Sequence, residues 1–188
     1  MKRVAVVAGA VLGVLSRVEE TTPVSVGISA NATWLGVAFV VGVAHRRVSP
    51  ARAAGTGALA LTAANVAFYA WIAAFEPGVA LSSVAGSPAV WLALGLGGGA
   101  LFAAAGRWWA TSAGMTRVLA SLPLAGVCIT EGVSALTGGP LGDVIGLAFG
   151  AALPVASAAS ARERAVGAAL SLAVVGVALT GHLEALMP

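Results

Sequence analysis

Apolar runs of membrane-spanning length, broken by short polar stretches, recur along the whole chain. Crossing the hydrocarbon of a bilayer takes about 20 mainly apolar helical residues, with a range of roughly 17 to 25. Seven segments fit this pattern: Lys2–Arg17, Val26–Ala44, Ala53–Phe75, Pro88–Gly106, Val118–Leu136, Asp143–Ala159 and Ala165–Leu183. The first is short and begins like a signal peptide, with two basic residues ahead of an apolar stretch. Because similar runs continue to the end of the chain, it reads as the first membrane helix. Ser49-Pro50 and Ser87-Pro88 have the form of a helix N-cap followed by proline at the first helical position, and mark the starts of spans three and four.

Alternating the loops between two sides sorts the charges. Lys2, Arg3, Arg46, Arg47, Arg52, Arg107, Arg117, Arg162 and Arg164 fall on one side and only Arg17 on the other. By the positive-inside rule the basic side is cytoplasmic, which predicts a cytoplasmic N-terminus and an outer C-terminus. The acids sort oppositely: Glu19, Glu20, Glu76, Glu131, Asp143 and Glu184 lie on the outer side or in the outer half, leaving Glu163 inside. Acidic residues contribute little to topology, so this second asymmetry invites a functional explanation.

Composition agrees with the pattern. The chain has 188 residues, 59% hydrophobic and 9% charged, with mean hydropathy +0.98, against roughly 25% charged residues in a soluble domain. The expectation is an all-α, polytopic membrane protein, a seven-helix transmembrane bundle in a single domain over 1–188, multi-pass in the cell membrane. A net charge of +3 comes from basic residues scattered in small groups, with no basic stripe or base-stacking face, which excludes nucleic acid as a partner. Cys128 is the only cysteine, so no intrachain disulfide can form. Gly9 and Gly13, and Gly142, Gly146 and Gly150, recur at four-residue spacing that lets helix backbones approach closely, within the bundle or between copies in a homo-oligomer. Pro123 and Pro154 lie inside spans and free backbone carbonyls there.

An ionisable group inside the hydrocarbon costs on the order of 3 kcal/mol and faces the bundle interior or a site. Glu131, in LAGVCITEGVSAL, is the deepest acid. Asn31 and Asn65 are the other costly side chains, and Asn65, Tyr69 and Glu76 share one helical stripe that leads outward. Trp34 and Phe68 flank these positions as candidate cavity walls, whereas Trp108 and Trp109 beside Arg107 fit an interfacial belt. His45 and His182 have no partner at metal-ligand spacing, so no metal site is expected, and no cofactor-binding motif is present.

ISANATWLGVAFVVGVAHRR (28–47), NVAFY (65–69), AAAGRWW (103–109) and TEGVSAL (130–136), followed by Asp143, resemble a family of small actinobacterial membrane proteins without an assigned function. In helix number, size and intramembrane acids the chain is also similar to integral-membrane terpene cyclases, in which carboxylic acids protonate an alkene or epoxide of a prenyl chain. That second resemblance implies Glu131 as proton donor, with Glu20, Glu76 or Asp143 as a second acid. It also implies Asn31, Trp34, Asn65, Phe68 and Tyr69 around a lipophilic substrate entering from the bilayer. Burial favours the neutral acid that such a donor needs, and aromatic faces stabilise cations. Two other readings stay open: a small proton-coupled carrier or channel through Glu131, Asn65 and Asn31, and a structural subunit using its small-residue faces.

Overall fold

The computed structural model describes residues 2–22, 27, 30–80, 88–136 and 141–186 and, in the last two helices, the side chains of 143–181. The expected span start at Val26, the Ser87 cap, the packing of Gly142 and the side chains of His182 and Glu184 lie outside the described residues. Among the described residues seven helices run in order: α1 Lys2–Glu20, α2 Asn31–Ala44, α3 Pro50–Phe75, α4 Pro88–Thr111, α5 Gly114–Ala135, α6 Leu141–Ala156 and α7 Ala161–Leu186. Four of them (α3, α4, α5 and residues Ala161–Gly181 of α7) are long and apolar enough to cross a membrane, while α2 and residues Asp143–Ala156 of α6 are shorter apolar helices. The all-α architecture and its membrane-compatible helices therefore follow the apolar pattern.

Helix ends depart from the apolar runs where local chemistry differs from hydropathy. α3 starts at Pro50 because Ser49 is extended and its hydroxyl accepts the Arg52 N–H at 3.4 Å. α4 continues past Gly106 through Arg107 and the two tryptophans to Thr111. α2 is shorter than its expected span: it begins at Asn31 and has 14 residues, roughly 21 Å of helix, against a hydrocarbon core of about 30 Å.

Close backbone contacts fix the helix directions. A Cβ at Gly9 or Gly13 of α1 would lie 2.0 Å from the carbonyl oxygens of Ala60 or Ala64, so α1 and α3 run parallel in fixed register. α2 and α4 form a symmetric parallel pair, in which a Cβ at Gly42 would lie 1.9 Å from the Ala103 oxygen and one at Gly106 2.0 Å from the Phe39 oxygen. α3 and α4 are antiparallel across Gly57 and Gly99. α6 runs antiparallel to both α5 and α7, with Gly150 on Ala125 and Gly167 on Pro154. Such approaches replace the hydrophobic drive that is missing between helices in lipid by van der Waals contact and Cα–H···O bonding. Gly9, Gly13 and Gly150 thus pack within the bundle, whereas a Cβ at Gly146 would come no nearer than 3.9 Å to a neighbouring helix, at the Cys128 oxygen.

The helices form two groups, α1–α4 and α5–α7, that meet where α5 lies against α2 and α4. Arg17, Glu20, Glu76 and Glu131 gather at one end of the bundle. At the other end Arg107 donates to the Val48 carbonyl at 2.6 Å, the Arg117 guanidinium stacks 4.3 Å from the Trp109 ring, and the Trp109 indole donates to the Ser157 hydroxyl at 2.7 Å. These last two contacts pin the seam between the groups at its basic end.

Candidate functional site

α2 begins after a capping residue, Ala30, whose side chain cannot accept a hydrogen bond. The first turn of any helix carries backbone N–H groups without intrahelical partners and the positive end of the helix dipole. Glu131 of α5 supplies the missing acceptor. Its Oε1 accepts the Asn31 backbone N–H at 2.8 Å and the Asn31 side-chain amide at 2.8 Å, and its Oε2 accepts the Ala32 N–H at 2.7 Å. Both oxygens therefore act as acceptors, the role of a carboxylate. The contact also ties the two helix groups together at the acidic end of their seam.

Between that pin and the Trp109 contacts lies a cleft of about 640 Å³. Its walls are α4 (Trp91, Leu94, Gly95, Gly98, Phe102) and α5 (Leu122, Pro123, Gly126, Val127, Thr130, Glu131), and its floor comes from α2 and α3. Glycines make the room: a Cβ at Gly126 would meet nothing within 4 Å. Leu94 is 56% exposed, so the cleft opens along the side of the helices as well as toward their ends. Its volume lies within the roughly 300 to 1,000 Å³ of small-molecule sites. The polar groups Asn31, Asn65, Thr130 and Glu131 cluster toward the acidic end, while Leu35, Leu61, Phe102 and Leu122 line the remainder.

A narrow extension of about 70 Å³ continues from the cleft past Asn31, Trp34, Asn65 and Trp91 to Glu20, Phe68 and Tyr69. Trp34 is oriented by its indole N–H, which donates to the Ser16 hydroxyl at 2.8 Å, and it meets Phe68 edge-on with centroids 6.2 Å apart. Phe68 and Tyr69 are likewise edge-on at 5.3 Å. The five side chains read from the sequence as cavity walls (Asn31, Trp34, Asn65, Phe68 and Tyr69) are thus brought together, with Glu131 at one side and Glu20 at the other.

The remaining acids lie elsewhere. Asp143 lines a separate cleft of about 380 Å³ between α2, α5 and α6, which also touches Glu131. Glu76 follows α3 and does not line the cleft or its extension. It forms a two-pronged ion pair with Arg17, whose Nη1 also holds Glu20 at 2.9 Å. The stripe reading of Glu76 assumed that the helical face continues, but the helix stops at Phe75 and the carboxylate turns to the guanidinium. That guanidinium holds the Glu76 carboxyl below the ordinary glutamate value of 4.5. A group with a depressed folded-state pKa adds stability above its unfolded pKa and loses it as pH falls through the folded one. The stability advantage of the unaltered protein over Glu76→Gln is therefore expected to be constant near neutrality and to vanish as pH is lowered below about 4.5, checked by thermal melts of both proteins across pH 3 to 7.

The sequence reading missed the roles of two residues. Glu19 is buried and accepts the Gly27 N–H at 2.7 Å, tying down the approach to α2. Gly95 is small because the Asn65 amide occupies the space, 2.6 Å from where a Cβ would be. Neither has a signal in hydropathy, since both depend on partners distant in the chain. In the comparisons with known proteins, the model of a family of unknown function, DUF6518, matches residues 2–186. No curated protein and no solved structure matches the chain.

Proposed function

The chain belongs to DUF6518, so its role has to be read from its own site, and we propose that it is a membrane protein that takes a lipophilic small molecule from the bilayer into the α4–α5 cleft. The observation that carries this reading is a 640 Å³ cleft, mostly apolar, open along helix sides and polar at one end. In this reading all seven helices span or embed in the cell membrane with the N-terminus cytoplasmic. The nine basic residues of one side support that orientation. Arg17, the exception, has the Glu76 and Glu20 carboxylates as local partners. A proton-coupled path is not favoured, because the lining toward the basic end is Leu35, Leu61, Phe102 and Leu122.

The test exploits the open space at Gly126. Gly126→Leu is expected to obstruct the cleft from its α5 wall, where the new Cβ meets nothing within 4 Å, and to leave the melting temperature unchanged or slightly raised, because leucine is favoured over glycine in a helix by roughly 0.5–1 kcal/mol. Photo-crosslinking with a long-chain diazirine hydrocarbon in membranes should label Leu61, which is buried, and Val127 in the unaltered protein and lose that labelling in Gly126→Leu. Equal labelling of the two would count against the cleft as a binding site.

A second reading, carboxyl-initiated cyclisation or isomerisation of an isoprenoid, is favoured by the side extension, where Glu20 and Tyr69 share a wall with Trp34, Phe68 and Trp91. A carboxylic acid there would give its proton to an alkene or epoxide, the rings would stabilise the cation, and loss of a neighbouring proton to the carboxylate would restore the acid. Since Glu131 accepts three N–H bonds, the donor role passes to Glu20, which would first have to leave Arg17. Membranes incubated with prenylated aromatic substrates and their epoxides should then form cyclised product that Glu20→Gln abolishes; full turnover by that variant removes the role.

A further inference from the structure

The polar end of the cleft has an uneven hydrogen-bonding chemistry. The Thr130 hydroxyl donates to the Gly126 carbonyl at 2.8 Å, leaving its oxygen lone pairs. The Asn65 amide nitrogen donates one N–H to the Leu61 carbonyl at 3.0 Å and packs on Gly95, leaving Oδ1 and the second N–H. The Asn31 amide nitrogen donates one N–H to Glu131, which again leaves a carbonyl oxygen and one N–H. The Trp34 indole is spent on Ser16. Glu131 itself accepts three bonds, and a carboxylate has about four lone-pair directions, so one remains. Among the described residues no basic side chain lies within salt-bridge distance of Glu131, and the guanidinium nearest the extension, Arg17, is engaged by Glu76 and Glu20.

From this we infer that the ligand of the cleft is a long-chain lipophile with a hydrogen-bond-donor head, a hydroxyl or ammonium, and that lipophiles with an anionic head such as a phosphate are rejected. The inference rests on the cleft being a binding site and adds the chemical class of its occupant. Acceptor oxygens beside a carboxylate with no cation at salt-bridge distance complement a donor, whereas an anionic head would be desolvated with no cation to meet it. From Trp91 to Phe102 the α4 wall runs roughly 16 Å, a length suited to a dodecyl chain.

The experiment uses the full chain in lipid nanodiscs with dodecanol, dodecylamine, dodecyl phosphate and dodecane. Binding is read as the tryptophan fluorescence change of the unaltered protein minus that of Gly126→Leu, which removes the contribution of probe dissolved in lipid. Dodecanol and dodecylamine are expected to bind at least ten-fold more tightly than dodecyl phosphate. Asn65→Leu should reduce the preference for dodecanol over dodecane at least three-fold, and should it fail to fold, the four probes on the unaltered protein still decide. Phosphate binding as tight as alcohol binding, or an alcohol preference unchanged in folded Asn65→Leu, overturns the donor-head inference while the cleft reading stands. If no probe, dodecane included, separates the unaltered protein from Gly126→Leu, the cleft reading itself falls.

Discussion

Glu131→Ala is expected to lower the melting temperature of the purified protein by on the order of 10 °C, from a loss of about 3 kcal/mol at roughly 2–4 °C per kcal/mol for a chain of this size. The substitution takes the acceptor from the Asn31 and Ala32 N–H groups and from the Asn31 amide. Each donor left without a partner costs roughly 1–3 kcal/mol when buried, and the lost interaction between a carboxylate and the helix dipole adds to this. Asn31 is exposed, so water recovers part of the loss, and the sum stays near the lower bound. Glu131→Gln should fall between the two proteins: its one oxygen can keep the Asn31 bonds, but its NH₂ faces the Ala32 N–H, donor against donor. Thermal melts of the three proteins check the order. Equal melting temperatures for all three would show that Glu131 does not hold α2.

Gly42→Ala is expected to cost about 2–4 kcal/mol, or to prevent assembly of the bundle. Its new methyl would lie 1.9 Å from the Ala103 carbonyl oxygen, and the obstacle is backbone, so no side chain can turn aside. Relief requires α2 and α4 to separate by more than an ångström, which undoes the reciprocal contact of Gly106 with Phe39 and the packing of Phe39 with Ala105 and Phe102 around it. Overpacking a well-fitted interior costs typically 1–3 kcal/mol, occasionally more, and the symmetric contact puts this case at the upper end. Gly55→Ala and Gly97→Ala are the controls: both positions face open space, so exchange of glycine for alanine should stabilise the helix by roughly 0.5–1 kcal/mol. Yield of folded protein and melting temperature, compared across the three variants, give the measurement.

The contrast between these glycines shows which parts of the fold are legible in a sequence. Seven helices appear where seven apolar runs occur, because apolar length is a property of each run by itself. Gly42 and Gly55 look alike in the chain, and only the partner helix makes one essential and the other replaceable. The same holds for the site. Asn31, Trp34, Asn65, Phe68 and Tyr69 could be grouped from their cost in lipid and helical spacing, and they share one lining. Glu131 could be singled out for the same reason, but its partner lies 100 residues away at the start of α2. The clue available was indirect: Ala30 is a poor cap, so a helix starting at Asn31 needs an acceptor from elsewhere. Hydropathy placed that start at Val26, which kept the clue out of view, since averaging over a window cannot locate a helix end set by hydrogen bonds.

Glu131 serves as the acceptor for the first turn of α2, and a local cap supplied at Ala30 tests this most directly. Aspartate at the capping position accepts the N–H of the second or third helical residue, here Ala32 or Thr33. Melting temperatures of the unaltered protein, Glu131→Ala, Ala30→Asp and the double variant form a closed cycle. Ala30→Asp should raise the melting temperature of Glu131→Ala by roughly 2–4 °C, corresponding to about 1 kcal/mol, while leaving the unaltered protein unchanged or lowering it through the crowding of two carboxylates at one helix end. The same shift in both backgrounds would mean that the two positions do not share the end of α2, and would contradict the account.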